Sequence, residues 1–326
     1  MAKISIALCT YNGEQFLREQ LESFTYQRRR PDELIVCDDR STDGTVSIVE
    51  RFASQAPFAV ELVVNDANLG STRNFEKAIS MCTGDLIFLS DQDDVWLPEK
   101  IERIESEFSD EGVGLVFSDA EVVDEALKPL GRRLSSLTFH ATSRQDLRTG
   151  TVFESLLTQN FVTGATAAFR SSLRDVITPT PIGVPNLIHD AWIALSIANH
   201  ARIVFLDEPL IKYRQHASQQ IGLGLSRMSD RRGSFEGAID YLQDDIKRLA
   251  LMKEILPSLR GVKPLPSLDA LICEKRDQIN HCEARMDLPR NRVKRVVAVL
   301  TELLTGRYSR FSSGLLSAAK DVVADR

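Results

Sequence analysis

Two runs of carboxylates follow apolar segments of this chain. Asp38 and Asp39 come directly after segment 34–37, and Asp91-Gln92-Asp93-Asp94 follows segment 86–89. Neighbouring carboxylates raise each other's pKa unless a cation neutralises them. Hard divalent cations prefer carboxylate oxygens and also bind substrate phosphates. These residue types therefore predict a site for a divalent cation and a diphosphate.

The segments around these runs alternate between predicted strands and predicted helices. Such alternation is typical of an α/β fold with a mostly parallel central sheet and helices on both faces. Ligands of these sheets lie at the carboxyl ends of the strands, so both acidic runs should border one cleft. The predicted strands are 4–9, 34–37, 60–64, 86–89 and 113–117, and the helices between them include 14–26 and 71–81.

Ordinary turn chemistry is the simpler interpretation of each acidic run, because aspartates cap helices and favour solvated turns. It would suffice for a single Asp-Asp pair, whereas two runs at one sheet edge favour a ligand site. The chain has no GxGxxG after its first strand, which disfavours a Rossmann site, and no GxxxxGK[ST], which excludes a P-loop. Trp96 stands where a calcium EF-hand loop needs glycine.

The second half of the chain is less regular and then becomes helical. A strand is predicted at 165–169, a helix at 188–198, and two short strands at 203–206 and 210–213. Amphipathic helices are predicted at 235–256 and 268–284. We therefore predict a catalytic domain over 1–222 and a helical C-terminal region over 223–326.

Charge is unevenly distributed along the 326 residues. The chain has 40 Lys and Arg against 46 Asp and Glu, a net charge of −6. Residues 290–326 hold eight Lys and Arg against three Asp and Glu, so this tail carries +5 and the rest −11. An acidic chain predicts no nucleic-acid partner. Five cysteines without a CxxC pair, and no apolar run long enough to span a membrane, predict a reduced cytoplasmic protein.

Four motifs in order carry a family resemblance over about residues 1–220. They are Thr10-Tyr11-Asn12-Gly13, the run Asp38-Asp39-x-Ser41-Thr42-Asp43-Gly44-Thr45, Asn68-Leu69-Gly70, and Asp91-Gln92-Asp93-Asp94. Together they resemble glycosyltransferase family 2, an inverting family with the GT-A fold. His189-Asp190-x-Trp192 and Tyr213-Arg214-Gln215-His216 resemble its bacterial cell-surface polysaccharide branch, in which rhamnosyltransferases are frequent.

The resemblance implies roles for the residues at the matching positions. Asp190 would be the catalytic base, Asp93 would bind Mg²⁺ or Mn²⁺ at the diphosphate, and Asp91 would contact the ribose or the metal. Asp39 would accept a hydrogen bond from the nucleotide base. The full set of residues expected to bind the nucleotide sugar is Thr10, Tyr11, Asn12, Asp39, Asn68, Gly70, Arg73, Asp91 and Arg214.

Several of these side chains have alternative interpretations. His216 could be a third metal ligand, since neutral imidazole binds such metals, or a surface histidine. Arg214 could pair with the diphosphate or close a loop. Trp192 could offer a flat surface to a sugar, whereas Trp96 is expected to pack in the core. The roles of His189 and Asp94 stay open.

The resemblance predicts a metal-dependent inverting glycosyltransferase of cell-surface polysaccharide synthesis. Its donor would be a nucleotide-diphosphate sugar, with dTDP-rhamnose or a UDP-sugar as the expectation, and its acceptor a saccharide or a lipid-linked oligosaccharide. One alternative is a haloacid-dehalogenase-type phosphohydrolase, because Asp91-Gln92-Asp93-Asp94-Val95 fits its Asp-x-Asp-x-[Thr/Val] pattern. That pattern normally follows the first strand, whereas three strands precede it here. A non-catalytic sugar-binding module is a third interpretation.

The basic tail has two interpretations of its own. Residues 290–308 place Val293, Val296, Val297, Leu300, Leu303 and Leu304 on one helical stripe, with basic residues at its start. Such a helix could lie on the anionic inner face of the cell membrane. It could equally pack on the body of the protein or on a second copy in a homodimer.

Overall fold

A computed structural model of the chain describes residues 1–139, 143–185, 187–217, 219, 235–256 and 268–323. These residues form two compact units. The first unit contains the described residues of 1–182 and 187–219, and the second contains 183–185, 235–256 and 268–323. Every residue predicted to bind the donor, the metal or the acceptor proton lies in the first unit.

Nine strands form one sheet in the described part of the first unit. Their order across the sheet is β3-β2-β1-β4-β8-β6-β9-β5, and β7 pairs with β6. The strands are β1 (Ile4–Thr10), β2 (Glu33–Asp38), β3 (Ala59–Val64), β4 (Leu86–Ser90), β5 (Val95–Trp96), β6 (Val113–Val123), β7 (Pro129–Arg133), β8 (Ala167–Arg170) and β9 (Arg202–Arg214).

Strand direction divides the sheet. β1, β2, β3 and β4 are mutually parallel, as predicted, and β6 pairs with β9 in parallel. β8 lies antiparallel between β4 and β6, which makes the sheet mixed. The two strands predicted at 203–206 and 210–213 are one strand, β9, whose register against β6 shifts opposite residues 118–120.

The helices of the first unit connect these strands and cover the sheet. Leu17, Leu21 and Phe24 recur at helical spacing on the first helix and lie in the core against strand residues such as Ile6 and Phe88. The helices are α1 (Leu17–Thr25), α2 (Thr45–Ala53), α3 (Ser71–Met81), α4 (Lys100–Glu107), α5 (Ser135–Thr138), α6 (Ser143–Thr149), α7 (Val152–Thr158), α8 (Arg174–Ile177) and α9 (His189–His200).

Helix α9 differs from the others in being buried around nearly its whole circumference. Its sequence explains this, because apolar residues occupy most positions from Ala191 to Ile197 and leave no polar face. The helix packs against α3, α7, β6 and β9. It therefore fixes its first two residues, His189 and Asp190, at a defined place beside the sheet.

The second unit is helical in its described part. Its helices are α10 (Phe235–Ile255), α11 (Leu268–Met286), α12 (Arg292–Leu304), α13 (Arg307–Phe311) and α14 (Leu315–Val323). Asn291 caps α12, since its side chain accepts hydrogen bonds from the amides of Val293 and Lys294. Among the described residues, no helix is both long and apolar enough to cross a bilayer.

Candidate active site

The acidic run after β4 forms a dense cluster of negative charge. Burial, together with the charges of Asp93 and Asp190, raises the pKa of Asp91 to about 7. Burial also raises the pKa of Asp94 well above its usual range, with Asp93 and Asp91 adding to the effect. Among the described residues, the buried Oδ2 atom of Asp94 has no hydrogen-bond partner. The raised pKa values of Asp91 and Asp94 show that the negative charge here is incompletely compensated, which favours binding of a cation.

Lys100 supplies part of the positive charge that compensates the carboxylates. Its ammonium is fully buried, lies 3.6 Å from the centre of the Trp96 ring, and donates a 2.7 Å hydrogen bond to the carbonyl oxygen of Ala165. Its charge lowers the pKa of both Asp91 and Asp94, against the larger effect of burial. One ammonium cannot offset a cluster of three carboxylates.

The cluster fits a divalent cation shared with a substrate. The Nε2 atom of His216 lies 2.8 Å from Oδ2 of Asp93, so the structure brings these two predicted ligands together. No group of three or more His, Cys, Asp or Glu side chains among the described residues forms a ligand set by itself. Mg²⁺ commonly takes one or two carboxylates and completes its shell with water and phosphate oxygens. Asp91 and Asp93 are suited to that arrangement.

Arg214 does not fit its predicted contact with the diphosphate. Its side chain is only 1 % exposed and lies against the ring of Phe16. The guanidinium donates to the carbonyl oxygens of Asp93 and Glu125 and to the carboxylate of Glu19. An arginine whose donors are directed to protein atoms in this way holds the backbone of the acidic run in place. We therefore correct its role from ligand binding to positioning of Asp93.

The loop after β1 also differs in part from expectation. Thr10 is buried, and its hydroxyl donates a 2.7 Å hydrogen bond to Asp38, so it stabilises the strand ends and is not available to a nucleotide. Asn12 accepts a hydrogen bond from the amide of Thr42, which joins the loops after β1 and β2. Tyr11 is 37 % exposed, so its ring is accessible to a ligand.

Gln92 joins this loop to the acidic run, a role that the sequence did not indicate. Its side-chain oxygen accepts a 2.8 Å hydrogen bond from the amide of Tyr11, and its side-chain nitrogen donates a 3.0 Å bond to the carbonyl oxygen of Tyr11. Gly13 leaves the space for this amide, since a Cβ there would lie 2.2 Å from Oε1 of Gln92. The middle residue of an Asp-x-Asp run is thus a structural link.

Asp39 organises the loop before α3. Its Oδ1 accepts hydrogen bonds from the amide of Leu69 (2.7 Å) and the side chain of Asn65 (3.0 Å), and its Oδ2 accepts from the amide of Gly70 (2.9 Å). Oδ2 accepts this one bond among the described residues and keeps a lone pair that the predicted bond to a base could use. Gly70 has φ +77°, which glycine adopts without strain. The loop is therefore shaped by Asp39 and by this glycine.

Two further predicted nucleotide contacts lie at this loop. The side chain of Asn68 donates a 3.3 Å hydrogen bond to the carbonyl oxygen of Asp39, so it braces the same turn. Arg73, one turn into α3, forms a 2.5 Å ion pair with Glu76 and keeps part of its surface exposed. Of the two, Arg73 presents a charge that a phosphate could use.

The carboxylate of Asp190 is held by three hydrogen bonds. Its Oδ1 accepts from its neighbour's amide at Ala191 (2.6 Å) and from the side chain of Asn160 (3.2 Å), and its Oδ2 accepts from the amide of Gly164 (3.2 Å). Burial raises the pKa of Asp190 to about 6, although these bonds favour the charged form. A carboxylate with that pKa can accept a proton near neutral pH.

Asn160 was not anticipated because its contact with Asp190 joins residues 30 apart in the chain. Its side chain also donates to the carbonyl oxygen of Val162 and accepts from the amide of Val162. Because both ends of the amide have matching partners, its orientation is well defined. Asn160 thus presents an N–H donor to Asp190 and favours the ionised carboxylate.

The aromatic neighbours of Asp190 pack inside the protein. The ring of His189 stacks on Phe75 of α3 at 4.0 Å between centroids, and burial lowers its pKa to about 3, so it is neutral. Trp192 is buried and donates to the carbonyl oxygen of Ile177, which leaves no surface for the sugar contact considered above. Trp96 packs against Phe24, as expected.

Asp190 interacts electrostatically with the acidic run. The charge of Asp190 contributes to the raised pKa of Asp91, and all four carboxylates raise the pKa of the buried Tyr213. The predicted base and the predicted cation-binding residues therefore act on each other, although about 100 residues separate them in the chain. Gln219 donates a hydrogen bond to the carbonyl oxygen of Arg214.

Comparison with known proteins supplies the family. The model of glycosyl transferase family 2 matches residues 5–177. The dTDP-rhamnosyl transferase RfbG of Shigella flexneri is 28 % identical over 233 residues, which cover 67 % of this chain and 75 % of that protein. The phosphohydrolase alternative finds no support in these matches.

Two solved structures share the fold across most of the chain. S. aureus TarS 1–349 in complex with UDP-GlcNAc has a TM-score of 0.56 at 16 % identity and covers 98 % of this chain and 88 % of its own. The mannosyltransferase PcManGT from Pyrobaculum calidifontis, in complex with GDP-Man and Mn²⁺, has a TM-score of 0.53 at 19 % identity, with 99 % and 87 % covered. The GT-A type of fold predicted from the sequence is confirmed by this likeness.

Proposed function

This chain belongs to glycosyltransferase family 2, and we propose that it moves a sugar from a nucleotide diphosphate to a saccharide or lipid-linked acceptor with inversion at the anomeric carbon. The observation that carries the proposal is that Asp190 bonds to Gly164, just before β8, the strand that pairs with β4, and that its charge acts on Asp91. A proton acceptor within electrostatic reach of a cluster suited to a cation and a diphosphate supplies what such a transfer requires.

Mg²⁺ or Mn²⁺ is the cofactor that the acidic cluster would take, with Asp91 and Asp93 as its carboxylate ligands and His216 beside them. When bound, such an ion stabilises the negative charge of the departing diphosphate. Without a cation, the same carboxylates would repel a diphosphate.

Asp190 is the proposed base, and its hydrogen bonds indicate which atom takes the proton. Oδ1 already accepts two hydrogen bonds, whereas Oδ2 accepts one among the described residues and keeps a lone pair. The acceptor hydroxyl would lose its proton to Oδ2 as its oxygen bonds to the anomeric carbon. The bond to the nucleotide diphosphate breaks at the same carbon, and the diphosphate leaves with the electron pair.

The donor is proposed to be dTDP-rhamnose or a UDP-sugar, and the resemblance to RfbG supports the first. A cytoplasmic location and a homodimer stay predictions from the sequence. Thermal unfolding with UDP-, dTDP- and GDP-sugars, each with and without Mn²⁺, tests the donor class. We expect one nucleotide class to raise Tm, and only when Mn²⁺ is present, because binding to the folded state stabilises it.

The same titration has outcomes that contradict the proposal. If no nucleotide sugar raises Tm with or without the metal, the proposal that this chain binds a nucleotide-sugar donor is wrong. If the shift is equal without Mn²⁺, the acidic cluster does not bind the diphosphate through a cation. Asp175→Asn is a suitable control, because Asp175 is exposed on α8 and the shift should be unchanged.

The pH dependence should report the environment of Asp190. A base must be ionised to act, so kcat should fall as the pH decreases through about 6. Asn160→Ala removes a donor to the charged carboxylate, which disfavours ionisation and raises the pKa. We expect the acidic limb of the kcat profile to move up by about one pH unit. Transfer rates measured across the acidic range check this.

Gln159→Ala is the matched control for that shift. Gln159 precedes Asn160 in the same loop, and no hydrogen bond joins its side chain to Asp190 in the described structure. The acidic limb of the kcat profile of Gln159→Ala should coincide with that of the parent chain. An unchanged limb in Asn160→Ala, or an equal shift in both variants, would show that Asn160 does not position Asp190.

A further inference from the structure

Helix α12 of the second unit has one apolar residue in a core and several that are exposed. Val299 faces the small core of this unit with Leu288, Tyr308 and Ala318. Five other apolar residues are exposed: Val293 (75 %), Val296 (38 %), Val297 (59 %), Leu300 (54 %) and Leu304 (90 %). We call these five the apolar stripe. Their spacing of three and four residues places them on one face of the helix.

The exposed charges within residues 290–323 are of one sign. Arg290 and Lys294 are exposed at the start of the helix and Lys320 further along, while Arg310 is exposed and pairs with Asp277 of α11. Both acidic residues within 290–323, a stretch that the structure describes completely, are buried in internal pairs. Glu302 lies against His281 and Arg307, and Asp321 bonds to Arg285 and Tyr308. The surface of this stretch is therefore apolar and cationic.

This combination discriminates between two occupants of the stripe. A second copy related by two-fold symmetry would bring the same cations face to face, which opposes association. An anionic bilayer offers both an apolar layer for the valines and leucines and phosphates for the cations. The exposed residues of α14, Leu315, Leu316 and Val323, extend the apolar surface of the same unit.

We propose that α12 docks this protein on an anionic phospholipid surface. The apolar stripe enters the boundary between headgroups and acyl chains, and Arg290 and Lys294 bind lipid phosphates. The helix lies in the plane of the interface, as amphipathic helices with a basic polar face do. This proposal stands apart from the transfer chemistry, because no residue of the first unit takes part in it.

Vesicle sedimentation of the full chain tests the docking without any nucleotide sugar. We expect binding to phosphatidylcholine vesicles that contain phosphatidylglycerol, weaker binding at high salt, and little binding to phosphatidylcholine alone. The variant Arg290→Gln/Lys294→Gln should bind roughly 25-fold more weakly, since each basic residue near an anionic surface contributes on the order of fivefold. Leu300→Gln/Leu304→Gln should lose binding too, because it removes both leucines of the apolar stripe, including Leu304, its most exposed residue.

The control variant is Lys128→Gln/Arg132→Gln, which removes two exposed cations of the first unit and should bind like the parent chain. Circular dichroism should show that all variants fold, since the substituted side chains are exposed. Equal binding by all forms, or none by the parent chain, would overturn the proposal. A dimer in sedimentation velocity that Leu300→Gln/Leu304→Gln dissociates, without vesicle binding by the parent, would assign the stripe to a second copy.

Discussion

Asp190→Asn should lower kcat by about 1,000-fold, the scale of losing a general base, and leave donor affinity within about twofold. Asparagine keeps the shape of the side chain, and its oxygen can accept the bonds from Ala191 and Asn160, whereas its NH2 group cannot accept the bond from Gly164. It cannot take a proton from the acceptor hydroxyl. Transfer rates at saturating substrates and calorimetric donor titration in the presence of Mn²⁺ measure the two quantities separately.

Two comparisons sharpen this result. Asp175→Asn makes the same chemical change at an exposed position and should retain the parent kcat. The residual activity of Asp190→Asn should also lose the acidic limb near pH 6, since the titrating group is gone. A residual rate within tenfold of the parent enzyme, with the limb intact, would show that another group accepts the proton.

Asp93→Asn should lose most of its activity and yet be no less stable than the parent chain. Loss of one of two cation ligands should lower kcat/KM by about 100-fold or more, because the diphosphate charge is no longer stabilised. The charge of Asp93 raises the pKa of buried Asp91 and Asp94, so its removal relieves repulsion in the metal-free protein. Tm without Mn²⁺ should stay equal or rise.

The stabilisation by donor and Mn²⁺ should disappear in the same variant. This separates Asp93 from Asp190, because Asp190→Asn should keep the full metal-dependent increase in Tm. Thermal unfolding of both variants, with and without donor and Mn²⁺, is the measurement. A metal-dependent increase of parent size in Asp93→Asn would remove Asp93 from the cation site.

The strand ends were predictable from sequence because each is a run of buried apolar residues followed directly by aspartates. Apolar runs such as 34–37 and 86–89 must be strands of a covered parallel sheet, and the aspartates after them fall on its ligand-binding edge. The structure indeed places Asp91 and Asp93 after β4. Asp190 could be located only through a motif, because nothing local connects α9 with β4.

The partners of these residues depend on contacts between distant segments, and the sequence does not encode such contacts locally. β8 pairs antiparallel with β4 across about 80 residues, which turned the expected mostly parallel sheet into a mixed one. The burial of a side chain is equally difficult to predict from the local sequence. Thr10 and Arg214 have the right residue types for a ligand, but burial directs their polar atoms to protein partners.

The contact of Gly13 with Gln92 has a consequence for how this sequence can vary. Gln92 is flexible, so a methyl group at position 13 would displace its amide without striking a rigid wall. The displaced amide would forfeit both hydrogen bonds to the backbone of Tyr11. A larger residue at 13 and glutamine at 92 can therefore coexist only without these two hydrogen bonds. Although 79 residues apart in the chain, the two positions should change together, with a compensatory substitution at one accompanying any change at the other.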